Sequence, residues 1–282
     1  MRSAKEIVVK PIPAQVASAF VAKHHYSGKA VRNSQLHFGV FLDGRLEGAI
    51  QLGPSLDKRK IMGLVRDTGW NGFLELNRMV FTDYLPRNSE SRALGVVFRL
   101  IRKKYPQIKW IISFADACQC GDGTIYRASG FVLTAVKTNK DVIRLPDGTV
   151  THTMSVKTGK GKLEHLASTG GASTVKIGTP LAGFQVRYIY FLDQSWRPKL
   201  AVPALPFSEL DRLGAKMYLG EKPGAEKSAG EASRDASGVS TPEEGGSTPT
   251  SPLQSEKPGL LARAAAFFKP KPDQDSGHSG GY

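Results

Sequence analysis

The sequence predicts an α/β fold, a mixed sheet with helices on both faces, followed by a tail without a core. Three observations carry this expectation. A strand-like run at 73–81, an amphipathic helix pattern at 89–104 and a continuous apolar run at 110–115 follow one another. A strand–helix–strand crossover of this kind sets its two strands parallel at the centre of a sheet. Asp-Gly pairs at Asp43-Gly44 and Asp147-Gly148 interrupt apolar runs, the signal of hairpins whose glycine takes positive φ without strain. From residue 221 onward, Gly, Ser and Pro fill 25 of 62 positions, and such a composition cannot bury enough apolar area to offset its ordering entropy.

The elements follow in order. Residues 13–24 place Val16, Phe20 and Val21 at helical spacing. Residues 36–42 and 46–52 flank Asp43-Gly44-Arg45 and form the first hairpin. The run 73–81 alternates Leu74 and Leu76 against Glu75 and Asn77, the period of a strand. Residues 89–104 open on Asn88 and Ser89 as caps and close on Arg102-Lys103-Lys104, cations favoured at a helix C-terminus. The apolar run at 110–115 does not alternate, which is typical of a strand buried on both faces. Residues 123–129 form a short helix stopped by Gly130, and 131–137 and 186–192 supply further strands. No repeat of 20–50 residues is visible.

Charge separates the chain into two domains. The 282 residues carry a net +14, but 221–282 hold 9 acids and 7 bases, so 1–220 hold a net +16. The expectation is a basic globular domain at 1–220 and a disordered low-complexity tail at 221–282. A chain this basic is expected beside a polyanion. An apolar segment at 260–268, ahead of Lys269-Pro270-Lys271, reads either as a short helix docking on a protein partner or as a nascent helix without a role. No run of eighteen apolar residues marks a membrane span, and the N-terminus lacks the apolar core of a secretory signal. Two cysteines, Cys118 and Cys120, do not make a disulfide framework, and a reducing cytosol is the expected setting.

Four clusters carry candidate chemistry. His24-His25-Tyr26-Ser27-Gly28 stands where the first helix meets a loop; it is either a functional pair of histidines or a C-terminus whose imidazolium caps carbonyls. Arg78 lies inside an apolar strand, where burial is costly unless the charge is paired. It reads as an inner-face salt bridge, for instance to Glu75, or as a guanidinium aimed at a phosphate, carboxylate or purine edge. Asp116 ends the buried strand, and sites in open α/β sheets form at the carboxyl ends of parallel strands; it is placed to orient an amine or accept a proton. Cys118 and Cys120 form a lone Cys-x-Cys, a weak zinc signal. Tyr126 sits on the short helix before Gly130-Phe131, as a packed ring or as a proton donor.

The element order resembles that of GNAT-type acyltransferases. The motifs go further. HHYSGKAV, LNRMVF, NSESRALG, FADACQCGDGTIYRASGF and RYIYFLD…RPKL…PALPF together resemble the phage Mom family of DNA-modification proteins, from about Lys23 to about Phe207. The resemblance implies a GNAT-like domain that converts adenine in DNA to N6-carbamoylmethyladenine and so protects phage DNA from host restriction. It implies double-stranded DNA as partner and the cytoplasm of the bacterial host cell as location. It carries functional positions onto His25, Tyr26, Arg78, Ser113, Asp116 and Tyr126, with His25 a metal or catalytic histidine and iron the metal suspected. The phenol of Tyr126 would protonate a leaving group. An adenine amine lies inside the duplex, so base flipping is expected, with phosphate neutralisation supplying affinity.

One departure bears on the donor. CoA-dependent GNAT enzymes use a glycine-rich loop whose amides cradle pyrophosphate at a helix N-terminus. Here Pro86-Arg87-Asn88-Ser89-Glu90-Ser91-Arg92 stands there, without glycine and with an acid. This argues against acetyl-CoA. It leaves Arg87, Ser89, Ser91 and Arg92 to meet another phosphorylated donor. The expected donor is either glycyl-tRNA or an acetyl-CoA-like donor; a glycyl group on the adenine amine is an isomer of the carbamoylmethyl product, which glycyl transfer would reach by rearrangement through a five-membered spiro intermediate. The competing readings are a non-catalytic basic DNA-binding protein and a GNAT acetyltransferase acting on another amine.

Overall fold

The computed structural model describes residues 2–119, 121–153, 156 and 178–215. Cys120, the tail at 221–282 and its apolar segment at 260–268 lie outside the described residues. A 3₁₀ turn Ala4–Glu6 leads to β1 (Val8–Pro11), α1 (Ala14–His24), β2 (Leu36–Leu42), β3 (Arg45–Gly53) and α2 (Lys58–Met62). Then come β4 (Phe73–Phe81), α3 (Ser89–Lys104), β5 (Trp110–Asp116), α4 (Thr124–Ala128) and β6 (Val132–Thr138). Short strands β7 (Val142–Arg144), β8 (Val150–His152) and β9 (Thr179–Pro180) precede β10 (Phe184–Phe191), and α5 (Ser208–Arg212) closes the described part.

The seven-stranded sheet has the order β1-β2-β3-β4-β5-β10-β6, and a second sheet has the order β8-β7-β9. Every pairing in the large sheet is antiparallel except β4 with β5. The expected mixed sheet with a central parallel pair is therefore present. Both hairpins form where Asp-Gly predicted them, and at the first of them Asp43 (φ 52°) and Gly44 (φ 77°) share the left-handed turn. Helices cover both faces. On one, Val21 of α1 packs with Ala49 and Val80. On the other, Phe98 of α3 stacks on Tyr190 of β10 at 4.3 Å. α3 earns its place through one apolar stripe, Ala93, Leu94, Val97, Phe98 and Ile101, all buried at helical spacing. Each large aliphatic or aromatic side chain so buried contributes roughly 1.5–3 kcal/mol.

Two sequence expectations need correction here. Asn88 does not cap α3 with its side chain; it takes a left-handed conformation (φ 70°) and turns the chain. Ser89 lies inside the helix, and its Oγ donates to Pro86 O at 2.6 Å. Asn88 thus supplies the positive φ that a glycine would supply, since a short polar side chain tolerates that region. The strand β5 is also not buried throughout. Trp110 to Ser113 are buried, but Phe114 is 42% exposed.

The reason is a fork. β4 and β5 pair only through Phe73↔Trp110, Leu74↔Ile111 and Glu75↔Ile112. Beyond that β4 stays with β3 as far as Phe81, and β5 stays with β10 as far as Asp116. Phe73 and Trp110, stacked at 4.4 Å, fasten the closed end with Ile112, Ile189, Phe191 and Val65. The open end faces the carboxyl termini of both strands.

A β-bulge sets what points into it. Leu52 pairs with Leu76, and Gln51 pairs with Arg78, so Asn77 is the extra residue. The bulge resets the alternation, and Arg78 falls on the face of Glu75 and Gln51 rather than that of Leu74 and Leu76.

Candidate active site at the fork of the central strands

On the α1 face, three segments meet. α1 ends at His24 because His25 leaves helical geometry, with its N–H still bonded to Val21 O at 2.9 Å. His25 Nδ1 accepts the Ser27 N–H at 3.1 Å and lies 2.8 Å from Ser27 Oγ. Burial, then the positive charge of Arg78, lowers its pKa from 6.5 to about 4. The ring is neutral at physiological pH, with the proton on Nε2, so the reading of His25 as an imidazolium cap is corrected. Tyr26 lies against it with ring centres 4.3 Å apart and is 54% exposed.

Arg78 donates from Nε to Lys29 O (3.2 Å) and from Nη1 to Asn77 O (2.7 Å). Among the described residues no acid comes within 4.0 Å of it, so the inner-face salt bridge is absent. Two backbone carbonyls satisfy the guanidinium in part and fix its direction without neutralising it. Glu75 stands next to it on the same face. Burial pushes its carboxyl up, while Ser55, Asn77 and the Arg78 charge oppose that rise. Ser55 Oγ completes no hydrogen bond of standard geometry, so its effect is that of a nearby dipole.

Asp116 ends β5 opposite Gln185, on the same face as Ile112 and Glu75 by strand alternation. Its Oδ1 accepts from Cys118 N (3.1 Å) and Gln185 Nε2 (2.9 Å), and its Oδ2 accepts from Gln119 Nε2 (2.6 Å). Three donors from two elements hold the carboxylate in one orientation, the property required of a group that positions a substrate amine.

Ser113, Tyr126 and Tyr188 belong to the opposite face, under α3. Ser113 pairs with Tyr188 across β5 and β10. Its side chain is buried, and its Oγ has no hydrogen-bond partner. Tyr126 on α4 packs against Tyr188 (5.2 Å) and Phe131 (5.1 Å) and is half-buried. The Tyr188 hydroxyl donates to Asp122 O; burial first, and then the Asp122 charge, push its pKa up, so it stays protonated. Gly123 makes this packing possible. It has φ 83°, and a Cβ there would strike Tyr188 at 2.7 Å and Tyr126 at 2.9 Å.

The six predicted residues thus divide. Arg78, His25, Tyr26 and Asp116 lie on one face of the sheet at the fork, and Ser113 and Tyr126 lie on the other. Arg87 and Arg92 are exposed at the start of α3, with Arg92 bonded to Lys5 O at 3.3 Å. The Ser89 hydroxyl closes the turn before α3, and Ser91 Oγ donates to Asn88 O at 3.2 Å. The two arginines are left as the cations of that turn. Sequence reasoning missed Glu75, Asn77, Ser55 and Gln51 as a polar cluster. Glu75 carries the same signal as Arg78, a charge in an apolar strand, but the bulge that joins them is not visible in the alternation.

The residues do not fit an iron site. Among the described residues no group of three His, Cys, Asp or Glu side chains comes together to hold a metal ion. His25 Nδ1 is already engaged, and the Arg78 charge opposes a cation beside it. The Cys118 thiol is buried in an apolar cluster with Val142 and Leu181, 3.8 Å from Phe184 O.

Residues 6–209 match the Mom protein family. The chain belongs to that family. The matched span contains every residue discussed at the fork. A relative within the family, the methylcarbamoylase Mom of Escherichia phage Mu, is 42% identical over 128 residues, which cover 45% of this chain. The chain spans about half, 53%, of the length of that relative. Solved structures with a similar chain course include the ribosomal-protein-S18-alanine N-acetyltransferase of Escherichia coli, with 10% identity over 66% of this chain and 94% of that one, at a TM-score of 0.37. They also include an acetyltransferase of the GNAT family from Streptococcus pneumoniae, with 12% identity over 66% of this chain and 99% of that one, also at 0.37. At these scores the likeness says nothing of activity. No helix among the described residues is long and apolar enough to cross a membrane.

Proposed function

We propose that this Mom-family chain is a DNA-modifying transferase that converts adenine in DNA to N6-carbamoylmethyladenine and thereby protects phage DNA from host restriction. The observation that carries the reading is the family match over 6–209, which contains a relative bearing the name methylcarbamoylase. The net +16 of residues 1–220 supports a polyanionic partner, and double-stranded DNA is the partner we propose, in the bacterial cytoplasm.

The chemistry proceeds by acyl transfer and rearrangement. The adenine N6 attacks the carbonyl of a glycyl ester such as glycyl-tRNA. The N6–C bond forms, the ester C–O bond breaks, and the N6 proton leaves to the departing ribose hydroxyl. The glycyl amine then attacks purine C6 to close a five-membered spiro ring. Cleavage of the C6–N6 bond opens it to the carbamoylmethyl amine, an isomer of the first product, so no oxidant or reductant is required. From the α1 face Asp116 would orient the attacking amine and Arg78 would hold the developing oxyanion or the donor; from the α3 face Tyr126 would relay the N6 proton to the leaving ribose oxygen, giving up its own proton and taking the N6 proton in return. His25, neutral and directed by Ser27, would offer its Nε2–H as a hydrogen-bond donor, with Tyr26 beside it. Ser113, fully buried under α3, would have a structural role in β5. Arg87 and Arg92 would meet the phosphates of the donor.

The test is nucleoside mass spectrometry of DNA from bacterial cells expressing the wild type or Asp116→Ala. The wild type is expected to yield an adenine bearing one carbamoylmethyl group, and the variant none. Folded wild type with unmodified adenine would overturn the reading and leave a basic DNA-binding protein. Purified protein that labels DNA from acetyl-CoA alone, and not from labelled glycyl-tRNA, would replace the donor.

A further inference from the structure

The proposed chemistry leaves one buried polar cluster unused. Gln51 Oε1, Ser55 Oγ and Asn77 Oδ1 complete no hydrogen bond, and their residues are 0%, 5% and 8% exposed. Ser55 and Asn77 lie against the Glu75 carboxyl, and Gln51 faces Arg78 across the β3–β4 pair. Buried polar atoms without partners are rare in native proteins and call for a ligand, water or ion to complete them. All three atoms accept hydrogen bonds, and Glu75 adds two carboxyl oxygens. Within a strongly basic domain, this is a concentration of acceptors.

What completes such a cluster is a group rich in N–H. Gly53 leaves room for the Asn77 amide, since a Cβ there would meet Oδ1 at 2.8 Å. On the same face of β5, two residues beyond the last β4–β5 pair, Phe114 is 42% exposed in mid-strand. An exposed ring on the same sheet face as buried acceptors suits a planar heterocycle with an exocyclic amine, because extruded bases are held by stacking and by hydrogen bonds to the Watson–Crick edge.

We propose that Glu75, Asn77 and Ser55 form the pocket that selects the extruded base by its 6-amino group, with Phe114 as the stacking surface. This rests on the reading of DNA adenine as substrate and names the residues that recognise it. Glu75 accepts from the amine with a carboxyl oxygen. Asn77 Oδ1 and Ser55 Oγ take the second amine hydrogen. The amine of an aminoacyl donor has the same N–H chemistry, so the test is run without any donor.

Fluorescence anisotropy of the full chain is measured on a labelled duplex with one adenine opposite an abasic site. The same duplex with purine, which lacks the 6-amino group, replaces it in the second arm. The wild type is expected to bind the adenine duplex roughly tenfold more tightly, the discrimination of one good bidentate contact. Glu75→Leu should bring the ratio near one while keeping the salt-dependent affinity for both. Glu75→Gln should keep most of the preference, because the amide retains an acceptor oxygen for the amine. Phe114→Ala, at an exposed position that does not endanger folding, should weaken both duplexes alike. A wild type without preference, or a folded Glu75→Leu that retains it, overturns the proposal. If cells expressing the wild type contain carbamoylmethyladenine while the binding ratio is one, this pocket alone fails; if they contain none, the function fails.

Discussion

Replacing Ser113 by alanine separates a structural residue from a functional one. Ser113 is fully buried on the α3 face of β5, and its hydroxyl has no partner. A buried, unsatisfied hydroxyl costs about 1–3 kcal/mol. Removing one oxygen leaves a void smaller than a methyl group, and the lower strand preference of alanine takes back a few tenths of a kcal/mol. Ser113→Ala is therefore expected to stabilise the fold by about 1–2 kcal/mol, raising the melting temperature by roughly 2–8 °C for a domain of this size. In the same preparation the yield of modified adenine is expected to stay at the wild-type level, because a hydroxyl fully buried under α3 is out of reach of a reacting group. Differential scanning fluorimetry and nucleoside mass spectrometry read the two effects. A variant less stable than wild type would show that the hydroxyl is satisfied in the fold, and one that loses modification would show that it engages a reacting group.

Three further outcomes follow from the α1 face. His25 has a folded pKa of about 4 against 6.5 unfolded, so its contribution is complete above pH 6.5 and is lost as pH falls toward 4. The full shift corresponds to about 3 kcal/mol, reduced to about 1–2 kcal/mol by solvent screening of a half-buried ring. Chemical denaturation of wild type and His25→Gln across that window should show a difference that shrinks with acid. Arg78→Met should raise the His25 pKa above about 4 but not to 6.5, because burial is the larger cause; an NMR titration of the ring reads this, and modified adenine should disappear. Gly53→Ala would place a Cβ 2.7 Å from Asn33 O and Ser34 Cα, a backbone clash worth roughly 1–3 kcal/mol. A melting temperature unchanged by that substitution would contradict the tight approach of β3 to the 33–34 loop.

The fold was largely legible in the sequence because its signals are local. Periodicity placed 73–81 and 89–104 where the strand and helix stand, and Asp-Gly placed both hairpins. The elements missed were those with weak local patterns. β1 spans four residues, α2 has five and β9 has two, and each is held by what it packs against. Asn88 misled for a related reason: a residue that caps helices also tolerates positive φ, and only the path of the chain chooses between them.

Sequence alone singled out the candidate residues, because Arg78 and Asp116 interrupt apolar runs where a charge has no structural excuse. It also shows the net +16 of residues 1–220 and the residues that carry the family resemblance. Tertiary structure alone decided which face each residue occupies. One extra residue in β4, Asn77, reverses the side-chain alternation and sets Arg78 beside Glu75 and His25. The early parting of β4 from β5 opens the sheet there and leaves Phe114 at the surface. Both follow from pairing between strands distant in the chain, where register is fixed by the summed packing of two faces and not by the sequence of either strand.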